Sequence, residues 1–475
     1  MAREYPFYCA GEWRTSSDRL EIRNPYNDEL VGVTYNATDQ DLEDAIVAAQ
    51  RAFEVTRKLQ GYERAEILQR MADGLRKRQE EIARLIAMEA GKPIRDARVE
   101  AARGVFTLQT AVEEAKRIGG ETIPLDLMPY SQGRFGITRR FPIGPIAGIS
   151  PFNFPLNLVA HKLSPAFAAG NPVVLKPPMQ APVTSLKLAE IAFEAGLPPR
   201  ALSVVHSVPE VAERLATDER FRLLSFTGSA RVGWHLKSIA GRKKVLLELG
   251  STNPAIVHED ADLGWAVERC VSGAFAMNGQ NCIRIQRLLV HRPVYDEFVG
   301  RLVEATGRVK VGNPLEDDTV VGPVIDSAAA DRIAAWIEEA VAGGARVLAG
   351  GGRRGNVIEP TILAGTRPEM KVEREEIFGP AMTVRPYDDF AEALALANDS
   401  EYGLQAGVFT QDIRRIWQAY EALEVGGVVV NDHPMLRVDN YPFGGVKKSG
   451  LGREGVRFAY EEMTELKALV VRVRG

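Results

Sequence analysis

The sequence has few cysteines and histidines, and this limits the kinds of site it can form. Only three cysteines and six histidines occur in 475 residues. No two cysteines have metal-ligand spacing and no histidines form an HExxH-like pair, so we expect no bound metal. With so few thiols we expect no disulfide framework, and this favours a reducing, cytoplasmic compartment.

Long apolar runs and a strong excess of charge are missing as well. No stretch approaches the roughly 18 uncharged apolar residues that a membrane span needs. The opening residues, MAREYPFYCAGEW, have no apolar segment of the signal-peptide kind. The net charge of -4 argues against a general nucleic-acid binder. We therefore expect neither a membrane nor a nucleic acid as partner.

The composition is that of a globular protein with large cores, 45% hydrophobic and 26% charged. At about 100–200 residues per domain, the length predicts two to four domains. Amphipathic helices come first: one is predicted over Asp41–Phe53 and a single long one over Glu63–Ala90, which Gly91 and Pro93 terminate.

From about residue 140 the pattern changes to alternating strands and helices. Short apolar strands are predicted at 144–150, 172–177, 202–205 and 222–226, with helical segments between them. A second unit of this kind begins near residue 253 and runs to about residue 430. The sequence therefore predicts an α/β fold built on doubly wound parallel sheets. The β-like tail at 468–473 has no neighbour in sequence, and we expect it to add to another subunit's sheet.

One cysteine stands in an unusual context. Cys9 and Cys270 lie in strand-like and helical apolar segments, which is typical of structural residues. Cys282 instead follows the turn formers Asn278-Gly279-Gln280-Asn281 at the end of a predicted helix, so its thiol could face a cleft. A pKa lowered from about 8.5 would make it a nucleophile.

Two further residues could serve a thiol that attacks a carbonyl. Asn153, held between prolines and phenylalanines in PFNFP, could stabilise an oxyanion, or it could form an Asx-turn that caps the next helix. Glu248, alone in the apolar strand VLLEL, could be a general base with a raised pKa, or it could form a buried salt bridge.

The segment Phe226–Gly233 runs from a strand through a glycine turn into a helix. Backbone N–H groups at such a helix start favour a phosphate, as in dinucleotide sites. The pattern is not GxGxxG, because Ala230 stands at the middle glycine position. An ordinary turn in which Gly228 adopts a positive φ is the alternative.

Seven motifs in order resemble the aldehyde dehydrogenase superfamily over nearly the whole chain. They are PFNFP (151–155), VLKP (174–177), SFTGS (225–229), ELGS (248–251), GQNC (279–282), EEIFGP (375–380) and PFGGVKKSGLGRE (442–454). Within the family, the sequence is most similar to the branch of lactaldehyde, phosphonoacetaldehyde and non-phosphorylating glyceraldehyde-3-phosphate dehydrogenases.

The resemblance implies an NAD(P)-dependent oxidation of an aldehyde to a carboxylate. Cys282 would be the nucleophile, forming a thiohemiacetal and then a thioester, Asn153 with the Cys282 N–H would be the oxyanion hole, and Glu248 would activate water. Lys162 and Glu454 match the family's proton-relay pair. The cofactor residues that it implies are Ile149, Ser150, Pro151, Phe152, Lys176, Met179, Pro209, Phe226, Gly228, Ser229, Val232, Leu249, Glu376 and Phe378.

The resemblance also implies a three-part architecture. A Rossmann-like cofactor domain would comprise residues 1–121 and 141–250, and an α/β catalytic domain residues 251–447. A small β extension, residues 122–140 and 448–475, would join subunits. The expected assembly is a homodimer or a dimer of dimers.

The sequence departs from the family pattern at positions that bear on specificity. Met179 stands where NAD-preferring members often have glutamate, so we expect NADP to be tolerated or preferred, with NAD still usable. Ser251 replaces a glycine after the base. Phe154, His161 and Arg437 are the expected substrate contacts, and they favour a short polar, hydroxylated or anionic aldehyde.

Several alternatives stay open at this point. Arg437 could be a surface or interface arginine and His161 a packing residue, and Asn281 replaces the arginine that an anion-binding branch has there. A CoA-acylating dehydrogenase is the main alternative activity, although such members commonly lack the glutamate base. A non-catalytic structural relative would have lost the thiol, the amide or the base, and all three are present.

Overall fold

Two parallel β-sheets, each flanked by helices, organise the chain. The computed structural model describes residues 3–207 and 209–473, and the side chains of 209–212 lie outside that description. The α-helices of the described residues are, in chain order, α1 (Asp39–Thr56), α2 (Gly61–Lys77), α3 (Gln79–Ala90), α4 (Ile94–Arg117), α5 (Asn157–Ala169), α6 (Val183–Glu194), α7 (Pro209–Thr217), α8 (Ala230–Ile239), α9 (Leu263–Phe275), α10 (Tyr295–Gly307), α11 (Ser327–Ala342), α12 (Lys371–Arg374), α13 (Phe390–Asn398), α14 (Ile413–Ala422) and α15 (Val456–Glu462).

The strands are mostly short. In chain order they are β1 (Phe7–Cys9), β2 (Glu12–Arg14), β3 (Arg19–Arg23), β4 (Leu30–Tyr35), β5 (Thr122–Ile123), β6 (Arg134–Pro142), β7 (Ile146–Ile149), β8 (Val173–Lys176), β9 (Leu202–Val204), β10 (Leu223–Thr227), β11 (Lys244–Glu248), β12 (Pro254–Val257), β13 (Arg287–His291), β14 (Arg346–Ala349), β15 (Arg353–Arg354), β16 (Val357–Ile358), β17 (Thr361–Ala364), β18 (Ala381–Tyr387), β19 (Tyr402–Gly403), β20 (Gln405–Phe409), β21 (Gly427–Val430), β22 (Val446–Lys447), β23 (Gly450–Leu451) and β24 (Thr464–Arg472).

The first sheet has eight strands in the order β2-β1-β9-β8-β7-β10-β11-β23. Its strands β7 to β11 are mutually parallel, and α5 to α8 connect them. Numbered along the chain, these five strands have the spatial order 3-2-1-4-5, so the strand order reverses between β7 and β10. Ligands of such sheets bind at the carboxyl ends beside this reversal. The predicted doubly wound, Rossmann-like sheet is confirmed.

The second sheet has the order β14-β17-β18-β13-β12-β20-β21. All its neighbouring strands pair in parallel except β14, which runs antiparallel to β17 at one edge. At the other edge, β21 has only β20 beside it. The chain therefore contains a second α/β unit beginning at β12, as the sequence predicted.

A third, small sheet extends away from the other two. β24 pairs antiparallel with β6 over all nine of its residues, and β6 pairs with β5. Within the expected extension 448–475, only β24 joins this sheet. β23 instead pairs with β11 of the first sheet, and α15 packs against α4 and α5. The chain thus crosses back over the first sheet before it enters the extension.

The predicted single helix over Glu63–Ala90 is wrong in one respect. Two helices, α2 and α3, cover this region, and they meet at Arg78, whose φ and ψ of −107° and 14° interrupt the helix. Leu75 and Ile82 are both fully buried on either side of the break. The apolar pattern therefore continues through the interruption, and periodicity alone cannot reveal it. Gly91 ends α3 in the predicted left-handed conformation, with a φ of 67°.

No helix within residues 3–207 and 209–473 is long and apolar enough to cross a membrane.

Candidate active site

Three consecutive residues shortly before Cys282 have a left-handed backbone conformation. φ is 55° at Met277, 60° at Asn278 and 64° at Gly279. At a residue other than glycine this conformation costs about 1–3 kcal/mol. At Gly279 a Cβ would also lie 2.3 Å from the carbonyl of Gly379. The surrounding structure must therefore hold this turn in place.

Side-chain amides supply much of that support. The Asn278 Nδ2 donates to the carbonyls of Gly91 and Pro323, both at 2.8 Å. After the turn, Asn253 Nδ2 donates to the Cys282 carbonyl at 2.7 Å. The Cys282 N–H, in contrast, has no hydrogen-bond acceptor among the described residues. One backbone donor beside the thiol is therefore available to a ligand, as the turn-rich sequence suggested.

The Cys282 thiol is partly exposed, whereas Cys9 and Cys270 are fully buried, as predicted for structural residues. The expected lowering of the thiol pKa is not observed. Partial burial raises the pKa of Cys282 to about 12, and the nearby Glu376 carboxylate adds to the rise. Arg437 acts in the opposite direction but does not offset these effects. The protein alone therefore favours the protonated thiol.

Asn153 contacts the cysteine loop directly. Its Nδ2 donates to the Gln280 carbonyl at 3.0 Å, and its side chain is buried. It does not form the Asx-turn that was the alternative, because α5 has no side-chain cap from this residue. Instead Glu100 accepts hydrogen bonds from the first N–H groups of that helix, those of Leu156 and Asn157.

Glu248 ends β11 on the same side of the first sheet. It is buried, its Oε2 has no hydrogen-bond partner, and it forms no ion pair within the described part of the chain. The buried salt bridge that the sequence left open is therefore not observed. Burial raises the pKa of Glu248 well above its usual value, the Glu454 carboxylate adds to this rise, and Arg437 and Lys162 oppose it.

A buried ion-pair network surrounds that carboxyl group. Lys162 Nζ lies 3.3 Å from Glu454 Oε1 and donates to Thr227 Oγ1 at 2.7 Å. Arg437 Nη2 donates to the other oxygen, Glu454 Oε2, at 3.1 Å. Burial alone would raise the pKa of Glu454, but the charges of Lys162 and Arg437 lower it to about 2. The structure thus brings the predicted relay pair together and keeps Glu454 ionised.

The predicted substrate residues adjoin this network. His161 Nε2 lies 2.9 Å from Asp439 Oδ1, and the same oxygen accepts from Arg103 Nη2 at 2.6 Å. Arg437 is not the surface arginine of the alternative interpretation, because only 6% of its side chain is exposed. Its guanidinium lies 3.8 Å above the Phe443 ring.

Sequence reasoning missed Arg103 at this place. It lies on α4, 336 residues before Asp439, in a segment without any motif. Its guanidinium is 6.0 Å from the Phe154 ring. The Nε groups of Arg103 and Arg437 are both buried, and neither has a hydrogen-bond acceptor among the described residues. Arg437 Nε lies 3.7 Å from Asp439 Oδ1, so the two guanidinium groups share this carboxylate.

The predicted cofactor residues gather mainly at the carboxyl ends of the first sheet. They follow β7 (Ile149, Ser150, Pro151, Phe152), β8 (Lys176, Met179), β10 (Phe226, Gly228, Ser229, Val232) and β11 (Leu249), while Glu376 and Phe378 precede β18. Pro209 lies outside the residues whose side chains are described. The Phe152 and Phe378 rings meet edge to face with centroids 5.9 Å apart.

Two polar groups in this cleft lack strong partners within the described chain. Ser150 Oγ is buried without a hydrogen bond. Lys176 is buried, and its Nζ reaches only the Pro177 carbonyl at 3.4 Å. Burial lowers the pKa of Lys176 to about 8. Unsatisfied donors of this kind fit the hydroxyl groups of a dinucleotide cofactor.

Local packing explains the residues at two positions, Gly228 and Ser251. Gly228 does not adopt a positive φ; a Cβ there would lie 2.6 Å from the Phe226 ring, so glycine is needed for space. Ser229 Oγ accepts from the Val232 N–H at 3.4 Å and caps α8. Ser251 is accommodated where the family has glycine, and its N–H donates to Glu376 Oε1 at 2.9 Å.

One cluster with metal-ligand residue types occurs among the described residues, at the carboxyl ends of the parallel strands β12 and β13, whereas Cys282 precedes β13. His258, Glu259 and His291 have ligand atoms within 4.8 Å of one another. The two imidazole rings are stacked, with centroids 4.2 Å apart and planes inclined by 16°. Imidazole lone pairs lie in the ring plane, and nearly parallel planes do not converge on one ion. The arrangement is a ring stack.

Comparisons with known proteins agree with this geometry. The model of the aldehyde dehydrogenase family matches residues 13–469. A 3-sulfolactaldehyde dehydrogenase of Priestia aryabhattai is 45% identical, with 100% of this chain and 99% of the relative covered. The crystal structure of aldehyde dehydrogenase 21 from Physcomitrella patens, in complex with the reaction product succinate, is 44% identical with a TM-score of 0.98, covering 100% and 99% of the two chains. A glyceraldehyde-3-phosphate dehydrogenase from Methanocaldococcus jannaschii, complexed with NADP, is 38% identical with a TM-score of 0.93, covering 97% and 99%.

Proposed function

Because the chain belongs to the aldehyde dehydrogenase family, we propose that Cys282, Asn153 and Glu248 are the catalytic residues of an NAD(P)-dependent aldehyde dehydrogenase. The enzyme oxidises an aldehyde to a carboxylate. One observation carries the assignment of residues: the Asn153 amide is hydrogen-bonded to the Cys282 loop, and the Cys282 N–H and the Glu248 Oε2 have no partner in the described part of the chain.

The first step is loss of the Cys282 thiol proton to solvent, which reaches the partly exposed sulfur, followed by attack of the thiolate on the aldehyde carbon. A C–S bond forms, and the carbonyl oxygen becomes an oxyanion that accepts hydrogen bonds from the Asn153 Nδ2 and the Cys282 N–H. NAD(P), when bound, would accept the hydride that the substrate carbon loses as the acyl group becomes a thioester on Cys282. Donors preorganised in this way typically contribute about 10²–10³ in rate each.

Hydrolysis of the thioester needs a base, and Glu248 has the required environment. It takes a proton from water, the resulting hydroxide attacks the thioester carbon, and the C–S bond breaks to release the carboxylate product. Lys162 and Glu454 lie beside Glu248 and can carry its proton away. A thioester that passed to CoA would not need this base, so Glu248 favours water as the acyl acceptor.

Lys176 and Glu376 would bind ribose hydroxyls of the cofactor. Lys176 has no acidic partner among the described side chains, and at position 179, three residues later, a methionine stands in place of a carboxylate that would repel a 2′-phosphate. We propose that NADP is accepted, and preferred over NAD, through the charge of Lys176.

The favoured substrate is a short aldehyde with an anionic group. Lys92, Lys162 and Arg437 are buried around the site and Arg103 is half-buried, and their carboxylate partners are Glu100, Glu454 and Asp439. The raised pKa of Glu248 favours its neutral form, so this carboxyl group does not repel an anion. The guanidinium groups of Arg103 and Arg437, which both pair with Asp439, would bind the anion. Relatives named for 3-sulfolactaldehyde and for glyceraldehyde-3-phosphate, and one solved with succinate, support this class.

An aldehyde panel with both cofactors tests the proposal. We expect 3-sulfolactaldehyde, succinate semialdehyde or glyceraldehyde-3-phosphate to have a kcat/KM at least tenfold above that of lactaldehyde, the uncharged control. Charge-assisted hydrogen bonds of about 1.5–3 kcal/mol support this magnitude. A preference for long apolar aldehydes would overturn the substrate assignment.

We also propose a homodimer, or a dimer of dimers, located in the cytoplasm. Eight of nine residues of β24 are exposed, among them Leu466, Leu469 and Val470, and no strand formed by the described residues lies beside its outer edge. β21 is likewise a free edge of the second sheet. Exposed apolar edges favour pairing with another chain. A monomeric mass in light scattering at working concentration would contradict the proposed assembly. The proposed compartment is supported by the three free cysteines, which are consistent with a reducing environment.

A further inference from the structure

One short segment contacts both loops of the proposed oxyanion site. This segment, here called the α3–α4 junction, comprises residues 91–100: the residues that follow α3 and the first turns of α4. Gly91 and Pro93 marked a helix end in the sequence, but none of the seven family motifs includes a residue of this segment. The two loops come from different parts of the chain, with Asn153 following β7 and Cys282 preceding β13.

The junction holds the cysteine loop through two hydrogen bonds. Asp96 Oδ2 accepts from the Met277 N–H at 3.1 Å, and the Gly91 carbonyl accepts from Asn278 Nδ2 at 2.8 Å. Met277 and Asn278 are the two non-glycine residues with positive φ immediately before the cysteine. These contacts therefore act on the part of the loop that most needs external support.

The same junction holds the Asn153 loop. Glu100 Oε1 accepts from the N–H groups of Leu156 and Asn157 at 2.9 and 3.1 Å, at the start of α5. Lys92 Nζ lies 3.7 Å above the Phe154 ring, next to Asn153. Lys92 and Glu100 form a fully buried ion pair with each other, which joins these two contacts.

We propose that the α3–α4 junction is a positioning clamp that sets the distance between the Asn153 amide and the Cys282 thiol and N–H. This inference rests on the proposed roles of Asn153 and Cys282. Asp96 and Glu100 are its positioning residues, since neither touches the thiol or the Asn153 amide and each acts through a loop. A displacement of about 1 Å in such a site can cost about 10²-fold in rate.

Substitution of Asp96 is the first test. Asp96→Ala removes the acceptor of the Met277 N–H, whereas Asp96→Asn keeps an acceptor oxygen of the same size. We expect Asp96→Ala to slow the pre-steady-state burst of reduced cofactor and kcat by at least about tenfold, with the KM for NADP within about twofold. Asp96→Asn should restore the burst rate to within about threefold of the wild type.

Glu100→Gln and a matched control complete the design. Glu89 is also a buried carboxylate that receives two helix-starting N–H groups, those of Val183 and Thr184, both at 2.9 Å, but it contacts neither loop. Glu100→Gln leaves Lys92 unpaired and should lower the burst rate. Glu89→Gln should lower the melting temperature at least as much and leave the burst rate unchanged.

The outcomes separate the clamp from the function on which it rests. If Cys282→Ala still gives a burst, the proposed function fails, whatever the junction variants do. If Cys282→Ala abolishes the burst but Asp96→Ala and Glu100→Gln keep the wild-type burst rate, the clamp is refuted. A burst rate that falls in Glu89→Gln in proportion to its melting temperature would also refute it, because general destabilisation would then explain the losses.

Discussion

Replacing Glu248 with glutamine separates the two halves of the proposed reaction. Glutamine has the size of glutamate, so it fits a buried site whose Oε2 has no partner, but it cannot accept a proton at working pH. Formation of the thioester does not use the base. Stopped-flow measurement on Glu248→Gln should therefore show a burst of reduced cofactor close to one equivalent per active site, followed by a steady-state rate about 10²–10⁴-fold below the wild type.

The raised pKa of Glu248 also predicts the direction in which steady-state turnover changes with pH. Burial and the Glu454 carboxylate raise the pKa of Glu248, so the basic form appears only as the pH rises through that raised value. Steady-state turnover of the wild type should rise with pH over this range, and Glu248→Gln should lose the rise. Glu89→Gln, which alters another buried carboxylate whose pKa burial raises to about 7, should keep both burst and turnover. A Glu248→Gln enzyme that turns over within tenfold of the wild type would refute the assignment of the base.

Three further results are expected. Arg437→Met should raise the KM of anionic aldehydes at least about tenfold more than that of lactaldehyde, measured by steady-state kinetics. Because partial burial raises the pKa of Cys282 to about 12, iodoacetamide should alkylate it slowly at neutral pH, and added NADP, whose nicotinamide ring is positively charged, should speed alkylation about tenfold or more. Met179→Glu should raise the KM for NADP at least about tenfold and leave that for NAD within about threefold, since the new carboxylate repels only a 2′-phosphate.

The regular patterns in the sequence were sufficient to predict most of the fold. Short apolar strands alternating with helices predicted the parallel sheets, and Gly91 marked a helix end that the structure confirms. The helix break at Arg78 was not predicted, because the apolar pattern continues from α2 into α3. The sequence also could not predict the path of residues 448–475. A local pattern predicts a strand, but only tertiary contacts decide that β23 pairs with β11 and β24 with β6.

For the site, too, local sequence predicts some residues, whereas others are placed there only by tertiary contacts. Cys282, Asn153 and Glu248 stand out because each is a polar residue in an improbable local context. Arg103 and Asp96 do not, since both lie on the ordinary amphipathic helix α4. They reach the site through contacts with Asp439 and Met277, which are 336 and 181 residues away in the sequence. The raised thiol pKa could not be foreseen either, because it depends on burial and on Glu376, which comes from another element.

Identification of the residue that carries the acyl group tests the central claim most directly. Glu248→Gln would be mixed with NADP and an anionic aldehyde, quenched in acid after the burst, digested, and examined by mass spectrometry. The account predicts an acyl group on the peptide that contains Cys282, in near-stoichiometric amount, and none in the Cys282→Ser variant. An acyl group on another residue, or a full burst without any acyl group on Cys282, would contradict it.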